Sequence, residues 1–184
     1  MGLIRCFTFI RCRNFSVFSV FRGSISHMAY SETFLREAIR LSQEKMEAGE
    51  GGPFGAVVVK DGEIVGRGWN RVVTANDPTA HAEVVAIREA CSALESYSLA
   101  GCEIYASCEP CPMCLSAIYW ARLDALYFAA SRDDATDAGF DDALLYEEMS
   151  KDWPTRALKT EQHMHKDAQA VFNLWKNKHD RTEY

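Results

Sequence analysis

Apolar and polar positions along this chain fall into two rhythms, one close to 3.6 residues and one of 2. Ser31 is placed to cap a helix, and Phe34, Leu35, Ala38 and Leu41 outline a partial stripe among strong helix formers. With Gly49 in the position that follows a helix end, the pattern predicts a helix over 32–48. Gly51-Gly52-Pro53 breaks it. An apolar, β-branched run over 54–60 then reads as a strand, Asp61-Gly62 as a hairpin turn, and 63–70 as the returning strand. Residues 71–79 read as a loop. Val84, Ile87, Cys91 and Leu94 recur at helical spacing, 102–107 alternates as a strand, and Pro110 suits the start of a helix carrying Leu115, Ile118 and Tyr119. A short strand follows over 126–130, then a helix over 141–149. Past Pro154, 156–162 is an ambiguous candidate for a last strand, and 167–178 reads as a helix with Ala168, Val171, Phe172 and Trp175 on one face. Helices alternating with strands imply an α/β fold, a three-layer α/β/α sandwich around a central mixed five-stranded sheet.

Composition changes this picture at one end. Residues 1–27 hold Arg5, Arg11, Arg13 and Arg22 but no Lys, Asp or Glu, and are rich in Ser and Phe. That is the composition of an organelle transit segment, and equally of sequence upstream of a true start at Met28. Both readings set 1–27 apart as an N-terminal extension, disordered, targeting or removed, and leave 28–184 as the folded domain. The location expected is the cytoplasm, or a mitochondrion or plastid if the extension is a transit peptide.

The chain carries 20 Lys and Arg against 26 Asp and Glu, net -6, and without the four N-terminal arginines the remainder stands at -10. An acidic body is a poor platform for polyphosphate, so no nucleic-acid partner is expected. No run reaches the roughly 18 apolar residues of a membrane span, so no membrane partner is expected either. The seven cysteines are odd in number and locally clustered, which suits metal or catalysis better than a disulfide framework.

Two segments carry chemistry. His81-Ala82-Glu83 stands at a helix start, and Cys108-Glu109-Pro110-Cys111-Pro112-Met113-Cys114 at a strand-to-helix junction. H-x-E followed downstream by P-C-x-x-C is the signature of zinc deaminases. Imidazole and thiolate are zinc donors, and a catalytic zinc takes three protein ligands and one water. Two cysteines on one opening helical turn can aim at a single centre, where the helix N-terminus favours thiolate. The metal ligands are therefore expected to be His81, Cys111 and Cys114. Glu83 is placed to move protons between water and substrate. Cys108-x-x-Cys111 is an alternative pair, but Pro110 and Pro112 put Cys111 and Cys114 in the helical turn and leave Cys108 a supporting role. A lone H-x-E recurs by chance, and a lone C-x-x-C can be a redox pair. Their joint occurrence in order, in these contexts, selects the catalytic reading over a silent zinc-binding module, which has no use for Glu83. His163 and His165 read as a solvated pair, and Gly49–Gly52 as a turn, since the G-K-[ST] of a phosphate loop is missing.

From Ser31 onward the chain resembles the cytidine-deaminase-like superfamily, and within it the bacterial-type guanine deaminases. The similar segments are 51–57, 76–83, 107–114, 117–122, Ala138-Gly139-Phe140-Asp141-Asp142 and the terminal Glu183-Tyr184. The resemblance implies hydrolysis of guanine to xanthine and ammonia, with guanosine, tRNA adenosine and cytosine as alternative substrates. It implies Asn70 and Asp142 on the purine edges, Phe54 stacked on the ring, and a homodimer. It further implies a C-terminal segment, about 165–184, that folds over the site as a lid ending in Tyr184 and is exchanged between subunits. The chain departs from the bacterial pattern over about 151–165, which is polar and irregular.

Overall fold

A computed structural model of the chain describes residues 30–183. The extension over 1–27 and Tyr184 lie outside the described residues. The apolar run after Phe54 forms β1 (Gly55–Lys60), and Asp61-Gly62 turns it back into β2 (Glu63–Trp69). Both turn residues take positive φ, 51° and 80°, as a two-residue hairpin of matching twist requires. β1 also pairs antiparallel with β3 (Cys102–Cys108), which runs parallel to β4 (Ala125–Ala130), giving a mixed sheet of order β2-β1-β3-β4.

Alternate residues of the central strands serve two cores. Val57, Val59 and Tyr105 pack with Ala38 and Leu41 of α1 (Glu32–Glu47). Ala56, Val58 and Ile104 pack on the other side with Ala82, Ala86 and Ala90 of α3 (Ala82–Ala93) and with Ile118 of α4 (Pro112–Trp120). A strand covered on both faces reads as an unbroken apolar run, which is why Val57-Val58-Val59 shows no alternation. The layers are those the sequence predicts.

The strand count is corrected: among the described residues the sheet has four strands, not five. The candidate fifth, 156–162, is irregular and follows a 3-10 turn at Trp153–Thr155. Its two apolar residues, Ala157 and Leu158, are exposed. Arg156 Nε donates to Lys151 O and Ala157 N–H donates to Glu148 Oε2, so this segment is tied to α6 (Ala143–Ser150). The loop expected over 71–79 contains one helical turn, α2 (Val72–Ala75), closed by Asn76 at φ 49°. A short helix not anticipated, α5 (Arg132–Asp137), starts at Ser131 in a reciprocal capping box with Asp134. The last helix, α7 (His165–Lys176), has no buried residue, and Val171, Phe172 and Trp175 of its apolar face are exposed.

The position of α3 is set by glycine. A Cβ added at Gly68 would lie 2.0 Å from Ala82 O and 2.5 Å from Ala86 N, and one at Gly66 2.4 Å from Ala86 O. The helix therefore rests on the backbone of β2, with only alanines between. We expect Gly68→Ala to push the first turn of α3 off the sheet and to cost about 2 kcal/mol or more. Urea unfolding checks this, and an unchanged midpoint would show that α3 shifts at no cost.

Candidate active site and metal centre

The start of β1, with Phe54 before it, and the ends of β2, β3 and β4, with the segments that follow them, meet at one end of the sheet. His81 is the N-cap of α3 and Cys111 the N-cap of α4, both in extended backbone, and neither side chain caps its own helix. Both side chains are thereby free for a common centre. Pro112 occupies the first turn of α4 and Cys114 lies within the same turn. His81 Nδ1 lies 3.6 Å from Cys111 Sγ and 3.5 Å from Cys114 Sγ. Zn–S near 2.3 Å and Zn–N near 2.0 Å at tetrahedral angles require N···S edges of about 3.5 Å, so this donor set fits a zinc ion. Among the described residues no other set of three His, Cys, Asp or Glu side chains gathers in this way.

The electrostatics agree with a thiolate site. A hydrogen bond from Cys114 pulls Cys111 down to about 4 against the cost of burial, with His81 assisting. The same bond and burial push Cys114 up, so the first thiolate of the pair sits on Cys111. His81 is raised, chiefly by its bond to Cys111. Cys108 stands apart: its Sγ donates to Ser131 O at 3.5 Å, and burial pushes its thiol up to about 11. The geometry thus separates Cys108 from the donor set.

The donors open onto a cavity of about 310 Å³ whose lining includes Phe54, Asn70, His81, Glu83, Cys111 and Asp142. This is at the small end for ligand pockets. A larger depression of about 560 Å³ near the C-terminus is lined by tail residues 176–183 and includes none of these donors. Glu83 is buried, 8% exposed, and burial raises its carboxyl. Phe54 meets Phe140 edge to face, with centroids 4.9 Å apart. Asn70 N–H donates to Phe54 O, which ties these two walls, while its Oδ1 accepts from Val72 N–H at 3.2 Å. Asn70 is thus a turn residue as well as a wall residue, with a carboxamide NH₂ still able to donate. Asp142 is half-buried. Its carboxyl is raised by burial first, then by Cys111, with Arg132 opposing.

Seven of the eight residues expected at the site line one cavity or hold its donor cluster. The eighth, Tyr184, is outside the described residues. Glu109, Arg132, Phe140 and Leu145 also line the cavity without having been singled out. Phe140 stands inside the Gly-Phe-Asp-Asp segment and Glu109 between two cysteines, so position was the available signal for both. His163 is exposed and bonds Glu161, as a solvated pair would.

The family model "cytidine and deoxycytidylate deaminase zinc-binding region" matches residues 28–130. Guanine deaminase of Bacillus subtilis is 52% identical over 153 residues, 83% of this chain and 98% of its own length. Its crystal structure superposes with a TM-score of 0.82, covering 85% of this chain and 99% of that one. Guanine deaminase of Nitrosomonas europaea gives a TM-score of 0.59 at 34% identity, over 63% of this chain and 67% of its own. The tRNA-specific adenosine deaminase of Aquifex aeolicus is 46% identical over 99 residues, 54% of this chain and 65% of its own length. With His81, Glu83, Cys111, Cys114 and all four strands inside the matched region, the chain belongs to the cytidine and deoxycytidylate deaminase zinc-binding family.

Proposed function

We propose that this protein is a zinc-dependent guanine deaminase that hydrolyses guanine to xanthine and ammonia. The observation that carries the reading is Asp142, which the arm after β4 brings into the wall of the cavity that holds the zinc donors. Guanine presents ring N–H groups and an amine to that wall, and a carboxylate accepts from such donors. Asn70 supplies an amide for the other edge, and the Phe54–Phe140 pair an apolar face. The extended similarity to the guanine deaminase of Bacillus subtilis supports the same reading.

His81, Cys111 and Cys114 would hold the zinc. When bound, the metal supplies Lewis-acid activation of a water molecule near neutral pH. The work of the protein is then with protons. Glu83, beside His81 in the cavity, takes the proton of the attacking water and delivers it to the ring nitrogen next to C2. A second proton passes by the same carboxylate to the amine. The water oxygen stays on C2, the C2–N bond breaks, ammonia leaves and Glu83 returns to its starting state. Asn70, Asp142 and the aromatic pair keep the ring in one pose.

The partner in this reading is a second copy. Tyr97 OH donates to Glu183 O at 3.1 Å. Tyr97 follows the C-terminal end of α3, whereas His81 and Glu83 stand at its start, and twelve helical residues span about 18 Å. The described tail is thus held at the end of α3 away from the cavity, and the exposed apolar face of α7 has no cover among the described residues. Both observations support a homodimer with exchanged C-terminal segments, each closing the partner's site with Tyr184. No helix among the described residues is long and apolar enough to cross a membrane. A cytoplasmic enzyme, or an organellar one if 1–27 is a targeting extension, is part of the same proposal.

Ammonia release from guanine, guanosine, adenine and cytosine, measured side by side, tests the substrate. Guanine should lead clearly in kcat/KM, and a lead for guanosine would replace the base by the nucleoside. Glu83→Gln should retain zinc and lose about 10²- to 10⁴-fold in kcat, while Cys111→Ala should lose most of its zinc by metal analysis. Mixed dimers test the exchange. Glu83→Gln and a variant lacking Tyr184 should each be nearly inactive, yet co-expressed they should recover one working site per dimer. Absence of recovery would place the lid on its own subunit.

A further inference from the structure

The turn that carries Cys111 and the turn that begins α5 are sewn together. Glu109 N–H donates to Ala130 O at 2.8 Å, Arg132 N–H donates to Glu109 Oε2 at 3.1 Å, and Cys108 Sγ donates to Ser131 O at 3.5 Å. Of the three bonds, the one to Arg132 is accepted by a side chain, and that side chain also lines the cavity. The connection continues outward. The Arg132 guanidinium lies 4.6 Å over the ring of Tyr146 in α6, so the residue that Glu109 holds by its backbone grips the next helix with its side chain.

This tie matters because little else fixes the arm. Neither α5 nor α6 has a buried residue, so no hydrophobic core sets the position of the segment bearing Phe140 and Asp142. What remains are a few polar bonds, the Arg132–Tyr146 contact and the edge-to-face pair Phe54–Phe140. A hydrogen bond to an ionised carboxylate is among the stronger of such ties.

We infer that Glu109 is a positioning residue. Its carboxylate fixes the arm over 131–146 to the metal-binding turn, and so sets the distance between the purine-holding wall and the zinc donors. The inference rests on the reading of this cavity as a purine-deaminating site. Glu109 touches no reacting atom in this role; it acts through Arg132 on Asp142 and Phe140.

The test compares Glu109→Ala and Glu109→Gln as zinc-loaded proteins. Glu109→Ala should keep its zinc and its urea midpoint. Its KM for guanine should rise about tenfold or more, with a smaller fall in kcat. Glutamine keeps an acceptor oxygen at the same reach, so Glu109→Gln should return KM to within about twofold of wild type. Amide hydrogen exchange over 132–146, measured without substrate, should quicken in the alanine variant and not in the glutamine variant. Wild-type KM and exchange in Glu109→Ala would overturn the inference. Equal KM losses in both variants would overturn it too, by showing that the charge in the cavity matters and the tie does not. A wild-type protein inactive on guanine whose arm still loosens in Glu109→Ala would overturn the proposed substrate and leave the tie standing.

Discussion

The contact between α3 and β2 is backbone on backbone, with Gly66 and Gly68 facing Ala82, Ala86 and Ala90. A Cβ at either glycine would overlap helix backbone, so the close seat of α3 on the sheet requires glycine at both positions. The site depends on that seat. His81 is the residue before the helix and Glu83 the second residue within it, so both move with the first turn. β3, on the far side of β1, and α4 bring in Cys111 and Cys114, and the N···S edges of 3.5 and 3.6 Å tolerate little displacement. Two helix N-termini then converge on the donors, and their partial positive charge favours thiolate where a metal is to be held.

How much of this was legible follows from where the chemistry is local. That His81, Cys111 and Cys114 gather could be read because zinc demands particular donors, and that Glu83 lies in the same cavity because helix starts bring neighbours in sequence to one point in space. The layers could be read because the hairpin turn and the apolar run of β1 are short-range signals. The four-strand sheet could not. The segment 156–162 has the length of a strand, and only its bonds to Lys151 and Glu148 show that it is engaged elsewhere. The helix α5 was missed although Ser131 and Asp134 carry a capping signal, since Asp replaces the usual Glu or Gln. Asn70 illustrates a different limit. The resemblance implies a purine contact there and says nothing of the local backbone, whereas its Oδ1 accepts from Val72 N–H in a turn while the residue lines the cavity.

Glu109 and Arg132 were illegible for a further reason. Their roles depend on a meeting of two loops 23 residues apart in sequence, and no spacing rule announces such a contact. A carboxylate between two cysteines reads as part of the metal motif. It is the hydrogen bond across to the next loop that gives it a structural task.

The boundaries of similarity divide the molecule along a physical line. The family match ends at Ala130, the last residue of β4, and encloses every zinc donor and Glu83. Phe140 and Asp142 lie beyond it, on an arm without a core. The part to which the proposed function gives water activation and proton transfer is therefore built on the sheet, with α3 packed against Gly66 and Gly68. The arm, which in the proposed function grips the ring together with Phe54 and Asn70, is joined to it by the Glu109 carboxylate and the Phe54–Phe140 pair. Such an arm can be altered residue by residue without disturbing the metal geometry, because its interactions enter the core at few points. In the proposed function, a scaffold arranged in this way can keep one deamination chemistry while the arm after residue 130 adds Phe140 and Asp142 to the walls formed by Phe54 and Asn70. That arrangement accords with a chain that matches the tRNA-specific adenosine deaminase of Aquifex aeolicus over 54% of its own residues and the guanine deaminase of Bacillus subtilis over 98% of that enzyme's length.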